Sequence, residues 1–429
     1  MFGERSGRAP SRAGAIASAG FVLFSIYMLS GFANDWSLRL FGTKAYISAV
    51  TLALLPLAWL FSGDAWCGLR SPIGRNWTAF LVWVLIAAPF GIWIGGSATL
   101  LANYIPRAYL CFFYICSFVT SLRRCRQLMY VQIVSAAALL LSCAMFGGVG
   151  DNPGDSRFRI PDSLFYANSN DLALDLLLGV SSFLFLLASP KISARMVGAA
   201  GVLLALYYAF QTGSRGSVLA ACGMFAVIFW LSRGKWKVLG LGMAALGVLF
   251  AATIAGPRSS TLHRLTLLWD DPTSDRSESA ADLSSVASQQ QRQELFKTSL
   301  HYTLMHPLLG VGPDQFSAAV EQDAARSGEH VPWLGTHNSY TQISSECGIP
   351  ALFFYAAAIV LCLRSNLLLY LRTRDRPAQA ELAALSRSLL AGTCLYAISA
   401  FFFHMAYSAH LPMLAGFTVA LQVVAASRA

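Results

Sequence analysis

The runs VLGLGMAALGVLFAATIA at 238–255 and IPALFFYAAAIVLCLR at 349–364 bracket the long polar segment 256–348. Each run approaches the roughly 20 apolar residues that cross a bilayer as a helix. Working outward, comparable runs lie near 13–32, 45–61, 77–95, 103–121, 128–147, 171–189, 195–211, 216–232, 388–403 and 409–427. The chain therefore reads as an all-α polytopic membrane protein of about twelve transmembrane helices, with one large helical loop between spans nine and ten. Only 12% of the 429 residues are charged, against about 25% for a soluble protein.

The distribution of charge orients the spans. Arg5, Arg8 and Arg12 precede the first run. A cleaved signal peptide is the rival reading there, but the apolar stretch is long and further spans follow at once, which favours an uncleaved anchor. With the N-terminus inside, the groups Arg70 and Arg75, Arg123, Arg124 and Arg126, Lys191 and Arg195, and Arg233, Lys235 and Lys237 all fall on inner connections, as do the basic residues from Arg364 to Arg387. The short outer connections hold only Arg39, Lys44, Arg107, Arg157, Arg159 and Arg215. This positive-inside bias predicts cytoplasmic termini and an outer position for the long loop. The net charge of +10 thus reports topology and not nucleic-acid binding. Three regions follow: spans one to nine at 1–255, the loop domain at 256–348, and spans ten to twelve at 349–429. The halves show no repeat, which argues against a two-half transporter.

Within the loop, 271–288 is rich in Ser, Asp and Glu and reads as flexible. From Ser288 the spacing of Leu295, Phe296, Ser299, Leu300 and Leu304 predicts a helix, stopped by Pro307 and Gly310 and followed by a Gly312-Pro313 turn. A second helix is expected from Thr336 or His337 to Cys347, broken by Gly348 and Pro350. All seven His lie on the outer side in this topology, and none of the nine Cys falls between 256 and 345. No disulfide framework or zinc spacing is visible.

Several side chains could carry chemistry. Arg215, in Thr212-Gly213-Ser214-Arg215-Gly216-Ser217, combines a guanidinium with glycines at the start of span eight, the elements of a phosphate seat. A snorkelling interfacial Arg is the alternative. Arg157 and Arg159 precede Asp171 and Asp175, which are one helical turn apart. Asp175 falls inside a span, where a carboxylate usually has a basic partner, and Arg159 is the candidate. Ordinary loop charges remain the alternative. Arg292 lies at the edge of the first loop helix's apolar face; a solvated Arg near a helix start is the other reading. His337, at a helix start, has its neutral form favoured by the dipole and could accept a hydroxyl proton. Tyr340, Thr341 and Ser344 are expected on its face. The acidic residues 270–282 lack the calcium-loop pattern and read as a solvated stretch. No nucleotide or metal motif is present, so neither a metal nor a cofactor is expected.

Taken in order, Ser214-Arg215-Gly216, Arg292, the run His306-Pro307-Leu308-Leu309-Gly310-Val311-Gly312-Pro313-Asp314-Gln315-Phe316, the run His337-Asn338-Ser339-Tyr340, and Glu346-Cys347-Gly348 resemble the O-antigen ligase and polymerase superfamily of bacterial inner-membrane proteins. The resemblance implies a metal-independent, inverting, GT-C-like glycosyltransferase of lipopolysaccharide biosynthesis, with its site facing the periplasm. The implied donor is a glycan on undecaprenyl diphosphate, and the acceptor, in ligases, is a lipid A–core hydroxyl. By motif, His337 corresponds to the catalytic His, and Arg215, Arg292 and, less closely, Arg159 to the diphosphate-contacting residues. Asn338, Tyr340, Asp175 and Arg157 are candidate supports. The chain looks most like a ligase. A polymerase shares these residue types, and a lipid-linked oligosaccharide flippase or a protein-glycosylating transferase are further alternatives.

Overall fold

A computed structural model describes residues 12–149, 157–163, 166–232, 280–326, 328 and 331–428. It is mainly helical. In order come α1 (Arg12–Phe41), α2 (Ile47–Leu60), α3 (Pro72–Ala87), α4 (Ile94–Tyr104), α5 (Leu110–Phe118), α6 (Leu122–Phe146), the two-residue strands β1 (Gly148–Val149) and β2 (Phe158–Arg159), α7 (Ser169–Leu187), α8 (Ile192–Gln211), α9 (Arg215–Leu231), α10 (Ala280–Met305), α11 (Phe316–Arg326), α12 (Ser339–Thr373), α13 (Ala380–Ser399) and α14 (His410–Ala426). β1 and β2 pair antiparallel, Gly148 opposite Arg159.

Among the described residues, seven helices are long and apolar enough to cross a membrane, and α2, α9 and α14 are shorter apolar helices. The protein is a membrane protein. The span expected at 238–255 lies outside the described residues, as does the acidic stretch up to 279. The span expected at 103–121 is broken: α4 passes through a π-turn at Ile105–Tyr109 into α5, because Pro106 cannot donate to the regular ladder. The expected flexible stretch is also too long. Helix α10 already begins at Ala280, eight residues before the first apolar spacing. Helix α11, which buries Phe316 and Ala319, was not foreseen.

The centre of the bundle is α13, which packs on α7, α9, α12 and α14. Small residues let helices approach where side chains gain little from leaving lipid. A Cβ on Gly179 of α7 would stand 2.9 Å from that of Ala136 on α6. Polar atoms inside are paired across helices: the Tyr355 and Tyr396 hydroxyls are 2.7 Å apart, and Asn366 donates to Thr418 at 2.9 Å.

The motif from His306 to Phe316 is a seam that joins the end of α10 to α3 and α12. Helix α12 contains a non-helical residue, Gly348, at φ 82° and ψ 173°. The turn after α10 fills that break. Ile349 N–H donates to Pro307 O at 2.8 Å, Val311 N–H to Ser345 O and Gly312 N–H to Glu346 O, both at 2.9 Å. The indole of Trp83 on α3 donates to Cys347 O at 3.0 Å. Glu346, buried at 1% exposure, accepts the Asp314 N–H at 3.0 Å. On the far side, Ile92 N–H donates to Val311 O at 2.9 Å, and Ser97 Oγ to Pro313 O at 3.0 Å. Gly310 and Gly312 have φ of 66° and 109°, which only glycine adopts without strain. This motif is therefore a docking device.

Candidate functional site

His337 sits just before α12. Asn338 is that helix's N-cap, its Oδ1 accepting from Tyr340 N–H at 2.9 Å and Thr341 N–H at 3.1 Å, an arrangement worth about 1 kcal/mol. To enter the cap from the irregular segment 331–336, the chain turns at His337 itself, which has φ 51°. A non-glycine residue there stores roughly 1–3 kcal/mol of strain, and such strain concentrates at functional sites. The surroundings hold it in place. Ser339 N–H donates to Ala400 O at 2.7 Å. Ser339 Oγ–H donates to Phe403 O at 2.7 Å and accepts from Met405 N–H at 3.1 Å.

The imidazole is half-buried. Burial first, and then the positive charges of Arg292 and Arg157, push its pKa down to about 4. Three distant segments therefore converge. Arg292 comes from α10, Arg157 from the connection ahead of β2, and His337 from the entrance of α12. Helix α10 reaches its place by packing on α12, where Thr303 Oγ1 and Ser344 Oγ are 2.8 Å apart.

Arg157 also ties two other elements to the site. Its Nη2–H donates to Asn170 Oδ1 at 2.6 Å, on the first turn of α7, and its Nε–H donates to Thr212 O at 3.0 Å. Thr212 begins the turn that delivers Arg215 to the first position of α9. Gly213 supplies the left-handed step of that turn, with φ 63°. Ser214 makes no capping bond to α9, leaving that duty to other partners. A Cβ on Gly216 would meet Phe402 Cβ at 2.5 Å, so the turn lies directly on the connection between α13 and α14.

The other candidates are placed as follows. Arg159 is in β2, half-buried. Asp175, for which Arg159 was the expected partner, pairs with His410 of α14, Nε2 to Oδ1 at 2.6 Å. The Tyr340 hydroxyl donates to Ala397 O at 2.8 Å and its ring packs on Phe401, so it fastens α12 to α13. Ser344 faces Thr303. Among the described residues no group of three or more His, Cys, Asp or Glu could hold a metal. The resemblance pointed to Arg159 and left Arg157 as a support, yet it is Arg157 whose charge acts on His337. The spacing also passed over His404, whose ring lies against Gly335 and bonds to Thr336 and Gln342. A His inside the apolar run Phe401-Phe402-Phe403-His404-Met405-Ala406 was the available signal.

The family model described as O-antigen ligase matches residues 200–356. That interval contains Arg215, Arg292 and His337, and excludes Arg157, Asp175 and His404. No curated protein matches the chain. Over residues 200–356, rather more than a third of its length, this membrane protein is thus similar to the O-antigen ligase family.

Proposed function

We propose that the protein is an O-antigen ligase, transferring a glycan from undecaprenyl diphosphate to a hydroxyl of lipid A–core at the outer face of the bacterial inner membrane. The observation that supports this most is one uncharged imidazole, on a strained turn, within the electrostatic reach of two guanidiniums.

The reaction needs two things from the protein. As the acceptor oxygen bonds to the anomeric carbon, the bond from that carbon to the diphosphate oxygen breaks, and negative charge grows on the leaving group. Fixed guanidiniums stabilise that charge more in the transition state than in the ground state. In this reading Arg157 and Arg292, whose charges act on His337, do this, with Arg215 on the turn fastened to Arg157. The acceptor hydroxyl must also lose its proton, and His337 takes it.

The same charges set the timing. With the site empty, Arg157 and Arg292 weaken His337 as a base. A bound diphosphate offsets their charge, so the imidazole becomes more basic once the donor is in place.

The test uses purified protein in lipid, with the undecaprenyl-diphosphate-linked glycan, with and without lipid A–core. Glycan on the core, formed only when core is present, is the expected result. Lengthened lipid-linked glycan without core would make the protein a polymerase, and no product in either tube would overturn the transferase reading.

A further inference from the structure

The connection between α13 and α14, residues 400–409, touches both halves of the site. Phe402 supports the turn of Arg215 through Gly216, and His404 supports the segment of His337 through Gly335. A Cβ on Gly335 would stand 2.7 Å from His404 Nδ1, so the backbone just before His337 rests flat against this ring.

The hydrogen bonds around His404 fix its protonation. Gln342 Oε1 accepts the Ala406 backbone N–H at 3.1 Å. A backbone N–H can only donate, so the amide oxygen is the atom on that side and the amide NH2 faces His404. Gln342 Nε2 is 3.1 Å from His404 Nε2, which must then be the bare, accepting nitrogen. The ring proton is therefore on Nδ1, 3.3 Å from Thr336 Oγ1. The Thr336 hydroxyl donates onward to Asn338 O at 2.9 Å. The chain runs in one direction from Ala406 N–H through Gln342, His404 and Thr336 to Asn338 O. Its last two members flank His337.

We propose that His404, held as its Nδ1–H tautomer between Gln342 and Thr336, is the positioning residue that keeps His337 in its left-handed turn and aims the imidazole at the acceptor hydroxyl. A flexible turn at φ 51° would relax to an ordinary conformation, carrying the base away. A protonated His404 would present a second N–H to the Gln342 amide NH2, donor against donor, and burial of the ring opposes that state, with the pKa pushed down to about 4. The consequence for turnover rests on the reading of His337 as the base; the clamp itself does not.

Two measurements on the full-length protein in lipid nanodiscs test this. Nitrogen-15 NMR of labelled histidines at pH 7.5, with the His404 signal identified by its loss in His404→Asn, should show a neutral ring with the proton on Nδ1. A protonated ring, or a proton on Nε2, would overturn the proposal whether or not the protein transfers glycan. For turnover, His404→Phe keeps a ring against Gly335 but no hydrogen bond, whereas His404→Asn places an amide NH2 where Nδ1 stood. The Phe variant should lose on the order of 10²-fold in kcat, the scale of a misplacement of about 1 Å, with little change in the donor KM, and the Asn variant should recover most of it. Wild-type turnover in the Phe variant, or an equal loss in both, would overturn the positioning role. Should the Phe variant fail to fold, Thr336→Val breaks the chain at its other end and carries the same expectation. Absence of transfer in the wild-type protein would instead sink the ligase reading and leave the NMR result to decide the clamp.

Discussion

Gly348 and Leu308 meet through backbone alone: a Cβ on Gly348 would lie 2.0 Å from the Leu308 carbonyl oxygen. Gly310 answers from the other side, where a Cβ would lie 2.2 Å from the Glu346 carbonyl carbon. Both positions have positive φ, and that of Gly348, with ψ 173°, is essentially confined to glycine. Gly348→Ala should therefore destabilise the protein by about 3 kcal/mol or more. A thermal midpoint within a degree of wild type would refute the seam.

The strain at His337 predicts an unusual order of stabilities. His337→Ala and His337→Gly both remove the imidazole, and each should reduce transfer by roughly 10²–10⁴. At φ 51°, glycine is at ease and alanine is not. The Gly variant should be the more stable of the two by about 1 kcal/mol, although glycine elsewhere costs stability. Denaturant unfolding of the pair in one lipid mixture measures this, and the reverse order would show that the turn is not strained.

Arg157 should matter more than Arg159. Removing Arg157 takes away a charge that acts on His337 and two bonds that hold α7 and the Arg215 turn. Arg157→Gln should lower kcat by about 10²–10³, and Arg159→Gln by much less. Arg215→Lys keeps the charge but not the planar fork and should behave like the Arg157 variant. Comparable losses at Arg157 and Arg159 would return both residues to equal standing.

The pH dependence of rate has a defined sign. The free enzyme's base has a pKa near 4, so kcat/KM should hold to about pH 5 and fall below it. Donor binding offsets the two Arg charges, so the acid limb of kcat should lie at higher pH than that of kcat/KM. Coincident limbs would mean that the bound diphosphate does not face His337.

Stability should follow pH through the same rings. His337 and His404 are held at about 4 in the folded protein, against about 6.5 for a free imidazole. The unfolded chain thus binds these protons first. Their contribution is fully present above pH 6.5 and is lost as pH falls from there through 4. His404→Asn removes one of these rings, so a midpoint that falls as far between pH 7 and pH 4.5 in that variant as in the wild type would contradict the contribution of His404.

Much of this was legible in the sequence because membrane helices declare themselves by length and apolarity. Arg215 and His337 were legible as types at helix starts, where glycines and turn residues mark the chain, whereas Arg292, expected near a helix start, lies in the middle of α10. What sequence could not supply was which partner each polar group takes. Asp175 takes His410, which is 235 residues away, and two basic residues as close as Arg157 and Arg159 differ in role through the packing of α7 and α9. In the motif from His306 to Phe316 the sequence showed a helix stop and a turn, but not what the turn packs against. Its glycines are needed for close backbone approach. His404 was passed over because a lone His among phenylalanines carries no period.

The clasp between Gly91 and Gly312 bears on how the protein is made. A Cβ on Gly312 would come within 2.6 Å of Gly91 Cα, so the end of α3 and the turn after α10 fit together only without side chains. The ribosome releases α3 long before α10, and that surface must wait through most of translation for its partner. Contacts between such distant parts of a chain form late. The candidate site would be among the last parts of the protein to mature, and a secreted copy of 256–348 would lack the bed on which it is shaped.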